Sequence, residues 1–596
     1  MTEPRRPVRI GNASGFYGDR PALMRELVEN GDVDVVTGDY LAELTMLILW
    51  KARQKDPDAG YARTFLTQFR QVADTCAERG IKVVVNAGGL APATLATNVR
   101  AVLAEAGLDL TVAHFEGDDL STRLDGLQQS GVPLRNLGTG IALADSGAEP
   151  VTANAYLGGF GIAAALRAGV DVVIAPRVTD AALVVGVGAW WHGWERTDFN
   201  ALAGAVAAGH IIECGPQATG GNYSQIREVL DRRYPGSPIA ELAHDGSFVI
   251  TKVADTGGLV NVGTVTAQLL YEVDSPAYLS PDVVAHFDAL RLQQDGPDRV
   301  RVSGTVGSAP PSTLKVAMNY IGGYRNTMTL VLTGLDIEEK ARWATESLFA
   351  LLGGRERFDE VDVQLLRYDS PEPTHMAQAT AHLRVTVKSS DRTRVDRAFS
   401  GAVTELALAN FAGFHTTTPP SSASEFGVYW PTTVPAEVVT HEVVFADGAR
   451  EVVPHAPVVD DTQVNARFDR STPISDGAVA DVGPTHRMPL GSVVAARSGD
   501  KGGNANVGVW TDTDDRWAWL RDHLTAERFA ELVPDAEGFE VRRYEYPNLR
   551  ALNFVVVGWL GAGVASCTRT DAQAKGFGEF LRATMTDIPD SLLEGD

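Results

Sequence analysis

Val8-Arg9-Ile10-Gly11-Asn12-Ala13-Ser14-Gly15-Phe16-Tyr17-Gly18-Asp19-Arg20 reads as a short buried strand, a glycine-rich loop and the approach to a helix over residues 21–29. The pattern repeats. Residues 33–37 form the next apolar run, Gly38-Asp39-Tyr40 the next loop, and 41–52 the next helix. A helix over 61–79, a strand over 82–85, the loop at Asn86, a helix ending near Gly107 and a strand over 108–113 follow. Strands and helices alternating at this length predict a parallel sheet covered by helices on its faces. In such sheets ligands sit beyond the carboxyl ends of the strands. Asn12, Ser14, Asp39 and Asn86 all fall just past strand ends and are candidate site residues. The first loop lacks the GxxxxGK[ST] order, so nucleoside triphosphate hydrolysis is not supported.

The chain has 596 residues, which allows two to four domains, since single cores stop growing at roughly 250–300 residues. With 44% hydrophobic and 21% charged residues, the composition is that of a globular protein. A net charge of -24 opposes general binding to nucleic acid or to an anionic membrane. Cys76, Cys214 and Cys567 are far apart and odd in number, which argues against a disulfide framework and for a reducing, cytoplasmic compartment. No apolar run follows the N-terminal arginines, so no secretory leader is expected. The uncharged run 551–568 is long enough to be weighed as a membrane span, but its β-branched centre and glycines fit a buried strand and loop better.

Between 154 and 180, a helix, a strand over 172–175 and a loop bearing Arg177 and Asp180 are expected. Gly159-Phe160-Gly161-Ile162-Ala163-Ala164 matches GxGxxA, yet no strand clearly precedes it, so close helix packing is favoured over a dinucleotide site. Asp180 reads either as an N-cap for a helix over 181–187 or as an acid or base. His210, Glu213 and Cys214 lead into another glycine loop. No second Cys/His set completes a metal site, and none is expected. Cys214 is a candidate nucleophile, against the commoner role of a buried cysteine as a small hydrophobe.

From about 246 the texture turns β-rich, with strands expected over 248–253, 264–271, 299–304 and 326–333 and a helix over 337–353. This suggests domains at 1–245 (α/β), 246–453 (α+β) and 488–596, joined by a linker at 454–487. The last domain opens with a strand over 492–496 and the loop Arg497-Ser498-Gly499-Asp500-Lys501-Gly502-Gly503-Asn504-Ala505-Asn506, which reads as an anion loop or as a plain hairpin. Further strands over 506–510, 540–546 and 553–557, helices within 516–532 and a final helix over 571–585 give a small ferredoxin-like α+β module. Arg550 joins its late strands and is a candidate neighbour of that loop. Ser312-Thr313-Leu314-Lys315 and Ser498-Gly499-Asp500-Lys501 both match SxxK, without the SDN or KTG of penicillin-binding enzymes.

RIGNASGFYGDR at 9–20, PRVTDAAL at 176–183, HIIECGPQATGGNY at 210–223, RSGDKGGNANVGV at 497–509 and NLRALNF at 548–554 together resemble the acyclic terpene utilisation (AtuA) family. The resemblance implies a large N-terminal domain, a ferredoxin-like C-terminal domain, and a link to breakdown of branched compounds as coenzyme A esters. It carries over no catalytic residues.

The leading expectation is a cofactor-independent lyase or hydratase acting on a branched, hydroxylated or unsaturated acyl-CoA, with coenzyme A present only as part of the substrate. Asp39, Asp180 and Glu213 would supply acid and base. Arg177, Arg497, Ser498, Asp500, Lys501, Asn504 and Arg550, with Asn12, Ser14 and Asn86, would bind substrate or anion. The alternatives are thioester hydrolysis or acyl transfer through Cys214, and a non-catalytic acyl-CoA-binding subunit. A homo-oligomer is expected, with no nucleic-acid or membrane partner.

Overall fold

The computed structural model describes residues 5–457 and 483–593. Most of the expected linker, 458–482, lies outside the described residues. The chain divides into two compact units. The first comprises 1–319, 429–564 and 571–596; the second comprises 320–428 and 565–570. The division therefore falls at Tyr320 and not at 246.

The first unit is built on β1 (Val8–Asn12), β2 (Val35–Gly38), β3 (Lys82–Val85), β4 (Val112–Glu116), β6 (Val172–Ile174), β7 (Pro238–Leu242) and β8 (Phe248–Lys252). β1, β2, β3, β6 and β4 lie parallel in that order, as the strand–helix alternation predicts. Antiparallel strands extend both edges. β7, β8, Val300–Ser303 and Arg291–Gln294 continue beyond β1, while Glu442–Val444 and Arg450–Val452 continue beyond β4. Segments after 246 thus complete the first sheet, and a change of texture along the chain is not a change of domain.

One core cluster packs Leu27, Phe65, Phe69, Leu95 and Val99 against Val36, Val83 and Val85 of the sheet. The helices Ala182–His192 and Phe199–Ile212 are buried on nearly every face, as their largely apolar sequence requires. β5 (Thr152–Ala155) does precede the GxGxxA run, but it pairs with Val316–Asn319 and not with the main sheet. The helix after it, Phe160–Arg167, packs on Ala182–His192, in line with the packing reading of those glycines.

Several boundaries differ from expectation for local reasons. Residues 61–79 form two helices, Arg63–Arg70 and Ala73–Arg79. The strand expected at 108–113 is β4, begun four residues later. The β-branched run expected as a strand over 264–271 is the helix Val262–Leu269. Its start is set by Asn261, whose side chain accepts from the Thr264 N–H at 2.8 Å, while Thr264 returns a bond to the Asn261 N–H. That reciprocal cap outweighs the strand preference of the residues after it.

The C-terminal part is a four-stranded antiparallel sheet in the order Ala495–Lys501, Asn504–Trp510, Ala551–Val556, Val541–Tyr546. Helices Asp514–His523, Ala526–Leu532 and Phe577–Ala583 complete it. The order strand-strand-helix-strand-strand-helix is the ferredoxin-like βαββαβ sequence with its last strand moved to the front. The expected final helix is shorter than 571–585 and is followed by the strand Met585–Pro589, which pairs with Thr485–Pro489. Among the described residues no helix is long and apolar enough to cross a membrane, and the run from 551 opens with the sheet strand Ala551–Val556.

In the second unit, Tyr324–Thr333, Thr380–Ser389 and Glu360–Arg367 form an antiparallel sheet. The helices Ile337–Leu352 and Arg397–Glu405 share a core with it, centred on Leu330, Leu348, Leu383 and Phe399.

Candidate functional site

The expected loops of the large sheet do converge. Asp39 follows β2, Asn86 follows β3, Arg177 and Asp180 follow β6, and Asn12 and Ser14 lie at the end of β1. Glu213 arrives from another direction, on the turn that ends the helix Phe199–Ile212. Asn12 fixes that arrival. Its Nδ2 donates to the carbonyls of Ile212 (2.8 Å) and Glu213 (2.9 Å), which a helix end would otherwise leave unsatisfied. Gly15 lies so close to the Cys214 backbone that a Cβ there would sit 2.6 Å from the Cys214 carbonyl carbon, so only glycine fits. Asn86 donates to Asp39 Oδ1 at 2.5 Å and accepts from the Tyr40 N–H at 2.7 Å. The Ser14 hydroxyl donates to Phe16 O at 3.0 Å. Asn12, Ser14 and Asn86 therefore hold the loops.

Arg177 is the centre of the cluster, and its side chain is almost wholly buried. Its guanidinium donates to Leu41 O and Asp180 Oδ1, each at 2.8 Å, and to the Tyr156 hydroxyl at 3.1 Å, and lies over the Tyr156 ring at 4.3 Å. Asp180 is thus a partner of Arg177 and not the helix cap; Ala181 holds the cap position without a side-chain bond.

Burial and the neighbouring Asp180 push the Asp39 carboxyl well above its ordinary value, against the pull of Arg177. Burial, Asp180 and Glu272 do the same to Glu213. Glu43 has the opposite state. Burial opposes its ionisation, but Lys315 and Arg177 outweigh this and hold it down at about 2. Its Oε1 accepts from the Tyr156 hydroxyl at 3.2 Å and lies 3.8 Å from Lys315 Nζ. Carboxyls pushed apart in this way divide into proton donors and fixed charges.

The C-terminal domain closes the site, and here the plain-hairpin reading of its opening stretch is the correct backbone. Ala495–Lys501 and Asn504–Trp510 are paired strands joined at Gly502-Gly503. The charges nevertheless turn inward. Lys501 Nζ lies 5.6 Å from the centre of the Tyr278 ring, and its field acts on Glu43, Glu213 and His210. Burial and Glu272 raise the Asp500 carboxyl to about 7.

Other members of the expected anion loop are committed elsewhere. Arg497 bonds to Gln217 Oε1 and, at 3.4 Å, to Asn222 O, and lies 4.2 Å from the Tyr271 ring centre. Ser498 Oγ accepts from the Gly578 N–H at 2.8 Å, and Asn504 Oδ1 accepts from the Gly558 N–H at 2.9 Å. Arg550 pairs with Asp514 at 2.6 Å within the C-terminal domain. It does not join the cluster, because the turn it occupies is at the opposite end of its strand from the Gly502 hairpin.

The Cys214 thiol is pushed well above its usual value by burial and by Glu213 and Glu272, opposite to what a thiolate nucleophile needs. His210 Nδ1 lies 3.2 Å from Glu213 Oε1, while burial and Lys501 lower the ring to about 4. Glu43, Tyr156, Lys315, Tyr278, Glu272 and Lys575 are site residues that sequence reasoning missed. Only Lys315 carried a signal, the SxxK match at 312–315. A cavity of about 300 Å³ lined by Phe160, Arg167, Arg196 and Val453, among others, shares no residue with this cluster.

His441, away from the cluster, is lowered to about 3 by burial, then by Arg196. Unfolded histidine titrates near 6.5, so the folded state binds fewer protons between those values. Stability supplied by the neutral ring is complete above about pH 6.5 and is lost as pH falls toward 3, by at most about 1.4 kcal/mol per pH unit. The raised carboxyls Asp39 and Glu213 act in the opposite sense, so His441 is isolated by comparison. The urea midpoint of His441→Gln is expected to fall less than that of the parent between pH 7 and 5; equal falls would remove His441 from the acid response.

Fold and site define an α/β protein with a buried acid–base cluster at the carboxyl ends of its strands, closed by an appended ferredoxin-like domain. The chain belongs to the acyclic terpene utilisation family: residues 8–445 match the family described as "Acyclic terpene utilisation family protein AtuA", and residues 488–587 match "AtuA ferredoxin-like domain". No curated protein and no solved structure matches it.

Proposed function

We propose that the chain is a lyase or hydratase that needs no cofactor and acts next to the thioester carbonyl of a branched acyl-CoA, as the first step or steps in breaking down acyclic terpene-like acids. The observation that carries this reading is the convergence of Asp39, Asp180 and Glu213 on buried Arg177, with Asp39 and Glu213 pushed well above the ordinary carboxyl range by burial and by Asp180. Elimination beside a thioester needs a base for the α-proton, an acid for the departing hydroxyl, and donors for the enolate oxygen. Asp180, about 29% exposed and oriented by Arg177, is the base. Glu213, supported by Asp39, gives its proton to the leaving hydroxyl, and water departs. Lys315, whose Nζ lies 5.0 Å from the Tyr156 ring centre, and the Tyr156 hydroxyl would serve as donors to the enolate oxygen, and Lys501 would offer its charge to an anionic part of the ligand. Addition of water is the same sequence reversed.

The test is a panel of saturated, unsaturated and hydroxylated branched acyl-CoA esters, read by mass. Gain or loss of one water supports the reading, and fragments point to carbon–carbon cleavage. An acyl adduct on Cys214, or an inert panel, goes against it.

A further inference from the structure

The chain segment Leu270-Tyr271-Glu272-Val273, just past the helix Val262–Leu269, lies on one face of the C-terminal sheet. Glycines make this approach possible: a Cβ on Gly499 would sit 2.4 Å from Tyr271, and one on Gly508 would sit 2.5 Å from Leu270. Two asparagines on adjacent strands of that sheet grip the segment, and both are wholly buried. Asn506 Nδ2 donates to Leu270 O and to Asn553 Oδ1, each at 2.8 Å, and Asn506 Oδ1 accepts from the Glu272 N–H at 2.9 Å. Asn553 Nδ2 donates to Val273 O at 3.0 Å. The segment supplies one amide donor and two carbonyl acceptors, so a single orientation of each side-chain amide satisfies every group.

Between the gripped positions, Glu272 takes a left-handed backbone with φ of 55°. A non-glycine residue holds that conformation at a cost that its surroundings must offset. The result places the Glu272 carboxylate 3.6 Å from Lys575 Nζ, and the Tyr271 ring beneath both Arg497 and Lys575. Glu272 in turn bears on Glu213, Cys214, Tyr271 and Asp500.

We propose that Asn506 and Asn553 are positioning residues for the candidate site: the C-terminal domain uses them to hold Glu272 in its left-handed turn and so fixes one wall of the carboxylate cluster. The proposal rests on the acid–base site proposed above, but its test needs no turnover. Cys214 is a local reporter, a half-buried residue whose thiol feels the charges of Glu213, Glu272, Lys575 and Asp39. In a Cys567→Ser background with Cys76 buried, alkylation of Cys214 by iodoacetamide is followed against pH, and the alkylated site is identified by mass.

Glu272→Gln removes a negative charge and leaves the clamp in place. Thiolate at Cys214 is then expected to form at lower pH, with alkylation about tenfold faster at fixed pH for each unit the thiol falls. Asn553→Ala, the milder clamp variant, and Asn506→Ala are expected to shift the profile in the same direction, with folding followed by circular dichroism. Adding Glu272→Gln to either should then produce little further shift. If Asn506→Ala does not fold, Asn553→Ala decides alone. A folded clamp variant with an unchanged Cys214 profile beside a shifted Glu272→Gln would overturn the proposal, and so would a Glu272→Gln profile identical to the parent. Failure of the acyl-CoA panel alone would leave these readouts intact and would count only against the proposed reaction.

Discussion

Glu213→Gln is expected to lower turnover of a responsive acyl-CoA ester by about 10²–10⁴-fold while leaving the fold and its urea midpoint nearly unchanged. The combination is unusual and follows from the state of the side chain. Burial, Asp180 and Glu272 push the Glu213 carboxyl well above its ordinary value and so favour the neutral acid, for which a neutral amide of the same shape is a close replacement. The desolvation cost of a buried charge does not arise, and only the transferable proton is lost. Asp180→Asn is expected to reduce turnover comparably with a larger effect on stability, because it breaks the 2.8 Å contact with Arg177. Steady-state rates beside urea unfolding of both variants check this. Full activity in both would remove these carboxyls from the chemistry.

Arg177→Met is expected to produce the largest loss of stability of any single change in the site, about 3–5 kcal/mol, the range for breaking a buried charged network from one side. Leu41 O and the Tyr156 hydroxyl lose their donor, Asp180 loses its counter-charge, and the Tyr156 ring loses the cation above it. Arg177→Lys is expected to recover only part of this, since an ammonium cannot serve all three partners in the guanidinium plane. Removing the guanidinium also withdraws a charge that helps ionise Glu43 and restrains Asp39 and Glu213, so all three carboxyls should titrate higher. Denaturation midpoints of the two variants test the order. A Met variant as stable as the parent would mean that the network contributes no net stability.

The parallel sheet was legible because each of its strands is a short apolar run closed by a polar loop, and the convergence of Asp39, Asn86, Arg177 and Asp180 followed from where those loops must end. Glu213 was legible as chemistry but not as place, since nothing in 210–223 says that Asn12 draws the helix end to β1. Lys315, Tyr156 and Tyr278 were not legible, because strands distant in the chain bring them together. Residues 497–506 mark the limit most clearly. Their sequence leaves an anion loop and a plain hairpin equally open; the backbone is the hairpin, with Lys501 and Asp500 facing inward and Arg497 anchoring the domain. The helix over Val262–Leu269 was missed because its cap, Asn261, counts for more than its β-branched residues.

The central claim is that this cluster moves a proton beside a thioester carbonyl. The most direct measurement is deuterium incorporation at the α-carbon of branched acyl-CoA esters in heavy water, followed by nuclear magnetic resonance for the parent protein and for Asp180→Asn. The account predicts exchange by the parent at a rate that the variant does not approach. A parent protein that binds the esters without exchanging their α-protons, or a variant that exchanges them as fast, would contradict it.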